Sequence, residues 1–440
     1  MPFASSERQR SRRTPFVRAL TGAASKSFQR ENMFLENSIL RRVTIAISTM
    51  STSNQSHIAF ENGPETSAEN APARTTGILP SQEINNLIAR GNISASPAIH
   101  PDHIQPASLD LRLGDMAHRV RASFLPGPNS TVEAKIKELR MTRVDLTGAP
   151  VFEKDCVYIV PLVEELNLPE NISGKANPKS TTGRLDIFTR LITDYGTEFD
   201  HVPPGYKGKL YAEVVSRTFT VAVRAGMRLS QLRFVQGSAR ASDRTIKVLD
   251  REEPLVYLDE DSPGKARVER GLRITVNLEG AEPGEIVAYK AKRYAPAIEL
   301  DKINFYSTEE FWEVRHQTAS KNLILEPDGF YILASRERVS VPPDYAAEMV
   351  PFDPSDGEFR IHYAGFFDPG FGYGSNDIKG TRAVLEVRAH EVPFLIEHGQ
   401  LVGRLNYMPL LRRPDKIYGT NIGSSYQHQA LTLSKQFRRA

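Results

Sequence analysis

Six consecutive residues, Lys179-Ser180-Thr181-Thr182-Gly183-Arg184, combine a cation, hydroxyls, a glycine and a guanidinium between two apolar, strand-like segments. Guanidinium groups grip phosphate oxygens bidentately and hydroxyls add short donor contacts, so the cluster has the chemistry of a phosphate subsite. The same composition also describes an ordinary polar turn. Its surroundings have to decide between the two.

A second kind of chemistry lies downstream. Read as a strand, residues 209–215 place Leu210, Ala212 and Val214 on one face and Tyr211, Glu213 and Val215 on the other. Further on, Leu385, Val387 and Ala389 share a face, opposite Val384, Glu386 and Arg388. A single glutamate on such a face is commonly just solvated. Here it recurs, flanked by apolar residues on its own face. A carboxylate in that setting holds its proton more tightly than in water, which suits a general base working near neutral pH.

The rest of the chain must position these groups. Its 440 residues, 40% hydrophobic and 25% charged, describe a soluble globular protein with room for two or three domains. The formal net charge is +3, and much of the positive excess sits near the N-terminus, so the folded body is near neutral and unlike a nucleic-acid coat. No apolar run approaches the roughly 18 residues that span a bilayer. The single cysteine, Cys156, excludes an intramolecular disulfide and any zinc site built from several thiolates, and fits a reducing, cytoplasmic compartment. Its setting, Asp155-Cys156-Val157-Tyr158-Ile159-Val160, reads as a strand with a buried, inert thiol.

Residues 1–76 do not read as folded. Within 1–49, nine Arg/Lys face three acids, the composition of a transit peptide or of an untranslated upstream extension, with Met33 and Met50 as alternative starts. Order begins at Gly77, and Ser81 is expected to cap a short helix whose Ile84, Leu87 and Ile88 share a face, with Gly91 past its end. From there strand-length runs alternate with turn residues, an all-β rhythm. A charged stretch predicts a linker over 246–264, separating domains at 77–245 and 265–412, with a C-terminal lid over 413–440. Ser307 with Glu310 predicts a capping box ahead of Phe311, Trp312 and Val314.

The two β regions repeat. Leu168-Pro169 and Val341-Pro342, Glu213 and Glu386, and Gly226 and Gly399 are each separated by 173 residues. A tandem duplication explains three landmarks at one offset.

These segments resemble the dCTP deaminase branch of the dUTPase-like superfamily, in duplicated form. Gln105-Pro106-Ala107-Ser108-Leu109-Asp110-Leu111-Arg112-Leu113-Gly114 is similar to the family's N-terminal signature, and Val144-Asp145-Leu146-Thr147-Gly148 to a second landmark. The stretch 168–185 resembles the phosphate-binding segment without a gap. Pro204-Gly205-Tyr206-Lys207-Gly208 and the run to Glu213 resemble the hairpin and catalytic strand. The likeness covers nearly all of 77–240 and, more weakly, 265–440.

The resemblance implies two tandem β-clip (distorted jelly-roll) domains with a few short helices, and sites between domains. It implies hydrolytic deamination of dCTP to dUTP and ammonia, supplying dUTP for thymidylate synthesis, with Mg²⁺ on the triphosphate and no zinc. A Glu at the position of Glu213 or Glu386 is the general base, and Ser180, Thr181 and Arg184, with Lys179, hold phosphates. Tyr418, Ser425, Tyr426 and Gln429 follow the spacing of the family's lid over the triphosphate, although a lysine is usual where Ser425 stands. Independently, zinc deaminases need a Pro-Cys-x-x-Cys run, which one cysteine cannot supply. The expected partners are dCTP or dUTP and further copies of the chain, a trimer being the family habit, with no nucleic acid and no membrane. A dUTPase, a bifunctional enzyme and a non-catalytic nucleotide sensor remain alternatives.

The halves depart from the pattern in complementary ways. The first has Pro203 where the family places an aspartate, with Asp200 nearby as a substitute; the second keeps that aspartate as Asp368. The second half has lost the phosphate segment, reading Phe352-Asp353-Pro354-Ser355-Asp356-Gly357, whose two acids repel a triphosphate. An insertion, 372–379, separates Asp368 from Glu386. One composite site is therefore expected, with Ser180, Thr181 and Arg184 from the first half and Asp368 and Glu386 from the second.

Overall fold

A computed structural model describes residues 74–259, 262–280, 282, 284–351, 359–361, 365–374, 379–389, 392–419 and 430–439, all within the unit Ala68–Ala440. The N-terminal extension expected to be unfolded falls outside these up to residue 73. The fold is mainly antiparallel β with a few short helices, as the alternating apolar pattern requires.

In the first half one sheet runs Gly77–Ile78, Ser230–Gln236, Ile172–Pro178, His201–Val202, with Leu109–Leu111 also on Ser230–Gln236. The other runs Arg140–Asp145, Met116–Val120, Val157–Asn167, Lys207–Ser216, Ile187–Thr193. The second half repeats both plans. Its larger sheet runs Trp312–His316, Ile286–Ala291, Phe330–Val339, Thr381–Ala389, Phe359–Ile361, and its smaller one Leu272–Thr275, Leu401–Pro409, Tyr345–Pro351, Phe366–Phe367. The offset of 173 survives in the register: Glu213 lies opposite Ile159, and Glu386 opposite Ile332.

Three local expectations need correction. The N-cap position of the first helix, Ser81–Ala89, is Pro80; Ser81 is its first residue and is buried, although Ile84 and Leu87 do face the core. Ser307 donates to Glu309 rather than forming a capping box, and the helix stops after Thr308–Phe311. Pairing of Trp312–His316 with Ile286–Ala291 takes the chain over, and Trp312 packs edge-on against Phe219 of the first half. The described part of the stretch 246–264 is itself structured. Helix Asp243–Glu252, capped by Ser242, buries Ile246 in the second core, and Val256–Tyr257 pairs with Phe330–Val339. Its charges hid an amphipathic helix with Ile246 and Leu249 three apart.

The halves share structure at every level. Val221–Ala222 pairs in parallel with Ile298–Glu299 of the second half. Phe311, Trp312, Phe330 and Ile332 join the first-half core, as do Leu433 and Phe437 of the tail. Alternation along the strand Thr381–Ala389 decides which surface meets which. Leu385 and Val387 enter the second-half core, whereas Val384 packs against the first-half core. Glu386 and Arg388 share that second face and therefore point across the boundary.

Arg388 is buried there. Its Nη2 meets the carboxylate of buried Asp186 and lies 2.9 Å from Thr218 Oγ1, and its Nη1 donates to Asp328 O at 2.5 Å. Removing one member of a buried ion pair strands the other's charge. Arg388→Met is expected to lower stability by about 3–5 kcal/mol in urea unfolding, and Asp186→Asn/Arg388→Met to recover much of it. Equal losses in the single and double variants would contradict the assignment.

Candidate active site

Arg184 leaves the short helix Ser180–Gly183, for which Lys179 is the N-cap; Lys179 O accepts from the amides of Thr182 (2.8 Å) and Gly183 (3.0 Å). Ser180 is exposed, Thr181 half-buried and Arg184 buried. The C-terminal tail returns to this helix. Arg184 Nη1 donates to Thr432 O at 3.0 Å, and Ser434 Oγ to Thr181 O at 2.9 Å.

The guanidinium of Arg184 points at the second half, where its Nε lies 4.0 Å from Glu386 Oε1. That separation is an electrostatic contact and too long for a hydrogen bond. Burial pushes the Glu386 carboxyl up to about 7, against the opposing pull of Arg184 and a backbone hydrogen bond. The carboxylate thus titrates near neutrality and is not clamped.

Glu213 has a different environment. Its face is covered by helix Val132–Leu139, with Val132 and Ile136 packing on Tyr211. Arg190 donates to Glu213 Oε1 through Nη2 at 2.5 Å and Nε at 3.0 Å, and its guanidinium lies 3.5 Å over the Phe199 ring. Asp200, weighed as a substitute for the missing aspartate, is held differently again. It accepts from the amide of Leu191 at 2.8 Å, and burial pushes its carboxyl up to about 7.

Asp368 stands in the hairpin after Phe366–Phe367, and Arg233 of the first half, fully buried and stacked 4.0 Å from the Phe366 ring, reaches it at 3.4 Å. Burial raises the Asp368 carboxyl, with Arg233 and then Lys179 pulling the other way. Tyr418 closes on the same hairpin, its amide donating to Pro369 O at 2.9 Å and its ring 5.8 Å from Phe371. Only glycine fits between them. Gly370 has φ +93°, and a Cβ there would meet Ile417 Cγ2 at 2.2 Å. Gln429, Ser425, Tyr426 and the acidic stretch 352–357 lie outside the described residues.

Four groups beyond the expected set gather here. Lys179 Nζ lies 2.5 Å from both oxygens of buried Asp110, which also receives Arg228 at 3.4 Å. Lys435 has its ammonium pulled below the usual lysine range by burial, then by Lys179 and Arg228. Asp110 lay in the quoted N-terminal signature, but Arg228, Arg233 and Lys435 carried no local signal, because their partners are remote in sequence. The arrangement is a cluster of cations, a buried aspartate in a hairpin, and a buried glutamate beside an arginine.

Residues 75–238 match the family model described as the "2'-deoxycytidine 5'-triphosphate deaminase (DCD) N-terminal domain", and 242–437 the corresponding C-terminal domain. The chain belongs to the dCTP deaminase family. It is similar to the crystal structure of 2'-deoxycytidine 5'-triphosphate deaminase from Agrobacterium tumefaciens, at 49% identity and a TM-score of 0.73, over 78% of this chain and 100% of that one. A dCTP deaminase of Halorubrum lacusprofundi is 28% identical over 43% of this chain and 91% of its own length. A "dCTP deaminase, dUMP-forming" of Dictyoglomus thermophilum is 25% identical over 37% and 82% respectively.

Among the described residues no group of three or more His, Cys, Asp or Glu side chains converges as a metal site. Asp110 already faces Lys179 and Arg228, and Asp368 faces Arg233, so neither carboxylate is presented as a free ligand. These residues do not form a Mg²⁺ site of their own.

Carboxyl ¹³C NMR is expected to find resonances titrating near pH 7. Glu386→Gln should remove one and leave that of Asp200, which Asp200→Asn should remove in turn. A spectrum in which Glu386→Gln removes only a resonance titrating near 4.5 would contradict the burial argument.

Proposed function

We propose that this chain hydrolyses dCTP to dUTP and ammonia at one composite site, with Glu386 as the general base. The observation that carries the reading is a buried carboxyl raised to about 7 and standing 4.0 Å from Arg184 without being hydrogen-bonded to it. A base must be ionisable near the working pH and have a free oxygen for the proton it takes. Glu386 meets both conditions. Glu213 also has an oxygen, Oε2, unpartnered among the described residues, but it lies buried under its own half with Oε1 held by two hydrogen bonds from Arg190, so it does not serve as the base in this reading.

Ionised Glu386 takes a proton from a water as its oxygen attacks C4 of the cytosine. The resulting tetrahedral carbon carries a hydroxyl and the amine. Glu386 returns the proton to the amine, the C4–N4 bond breaks as the C4–N3 double bond re-forms, ammonia leaves, and the hydroxyl proton passes to N3 to give the C4 carbonyl and N3–H of uracil. Arg184 keeps the carboxylate ionisable and helps orient the water. Lys179, Ser180 and Thr181 hold the phosphates, with Arg228 and Lys435 adding positive charge, and Tyr418 and Gln429 belong to the lid. Asp368, braced by Arg233, recognises the deoxynucleoside.

Mg²⁺ belongs to this proposal only as a counter-ion carried by the triphosphate, as is usual for an ion that keeps most of its waters. No step depends on it or on zinc. The β-clip description of each half, a cytoplasmic location and assembly as a homotrimer are part of the same reading. Further hydrolysis of dUTP to dUMP is the second reading, favoured by the relative named as dUMP-forming.

Arg184→Ala and Glu386→Ala are each expected to abolish turnover, on the order of 10³-fold or more, whereas Glu213→Ala retains most of it in the folded fraction. The wild type should release ammonia without pyrophosphate, and kcat/KM should rise with pH through about 7 as Glu386 ionises. Pyrophosphate alongside ammonia would establish the dUMP-forming reading. Release of neither, or loss of turnover in Glu213→Ala with retention in Glu386→Ala, would overturn the proposal.

A further inference from the structure

A cavity of about 470 Å³ opens at the boundary of the halves, away from the residues assigned above. That volume is within the range of small-molecule sites, roughly 300–1,000 Å³. Lys154, Arg217, Lys290, Lys292, Arg293 and Arg388 line it, against only three carboxylates, Asp155, Glu326 and Asp328. We propose that this cavity is a second ligand site, separate from the catalytic one, for a nucleoside polyphosphate.

Local ion pairing does not use up the positive charge. Lys290 pairs with Glu326 at 2.6 Å and Arg217 with Asp155 at 3.1 Å. Lys292 Nζ donates only to a neutral carbonyl, Glu309 O, at 2.5 Å. Lys154 and Arg293 are exposed and have no carboxylate within ion-pair distance among the described residues. Arg388 is already paired with Asp186 on the buried side, so the surplus charge rests on Lys154, Lys292 and Arg293. Surplus cations around a concave surface attract phosphate groups.

The wall also offers an aromatic platform. Tyr294 is 97% exposed beside Arg293, a costly position for a ring that packs on nothing and a suitable one for stacking a base. The site is distinct from the catalytic one. None of 179–184, Asp368 or Glu386 lines it. Arg388 follows Glu386 by two residues on one face of Thr381–Ala389, a step of roughly 7 Å, and lines the cavity where Glu386 does not.

Calorimetric titration with inorganic tripolyphosphate and with ATP tests this on the full chain. Charge reversal of the two exposed cations in Lys154→Glu/Arg293→Glu is expected to weaken one binding event at least tenfold while leaving KM for dCTP unchanged. Tyr294→Ala should weaken ATP several-fold and leave tripolyphosphate alone. Titrations of the double variant identical to wild type would overturn the proposal. So would a parallel rise in KM for dCTP, which would make the cavity part of the catalytic site, or ATP binding indifferent to Tyr294→Ala, which would remove the base platform.

Discussion

The constraint on which the molecule depends is the burial of one carboxylate, Glu386, against one guanidinium, Arg184, across the boundary between two repeats. A buried charge is expensive unless it is paired, and a paired one is inert if the pair is too tight. At 4.0 Å the two groups sit between these limits, and the carboxyl stays near 7. The surrounding structure maintains that distance. Leu385 and Val387 anchor the strand that carries Glu386 in its own core, Thr432 and Ser434 of the tail hold the helix that carries Arg184, and Asp186 with Arg388 ties the two elements together one strand step away.

Duplication without equivalence is the second theme. Glu213 and Glu386 occupy the same position in the same kind of strand, opposite Ile159 and Ile332. What differs is the layer above them. The first is covered by its own half, through helix Val132–Leu139 and Arg190, and the second by the other half. The conserved plan of strands leaves the chemistry to whatever packs on one face.

The sequence made the strands, the repeat and Arg184 legible because alternation, an offset of 173 and a dense polar cluster are local or periodic signals. The strand patterns by themselves could not separate Glu213 from Glu386, since both show one glutamate among apolar neighbours; only the complementary losses in the two halves favoured Glu386. Arg233 meets Asp368 across 135 residues, and Lys435 reaches the field of Lys179 only because the tail folds back, so neither announces itself locally. The capping box at Ser307 and the charged stretch 246–264 failed for the complementary reason. Tertiary pairing of Trp312–His316 overrode a local cap, and a run of charges concealed the buried Ile246.

The central claim, that one chain by itself brings the phosphate segment and the base together, has a direct test in complementation. Arg184→Ala and Glu386→Ala chains are co-expressed, purified as mixed assemblies by two different tags, and assayed for dCTP turnover. If each site is built within a chain, every chain in the mixture is defective and activity stays at the level of the single variants. Recovery of a substantial fraction of wild-type turnover would mean that Arg184 and Glu386 meet between chains, and would contradict the account.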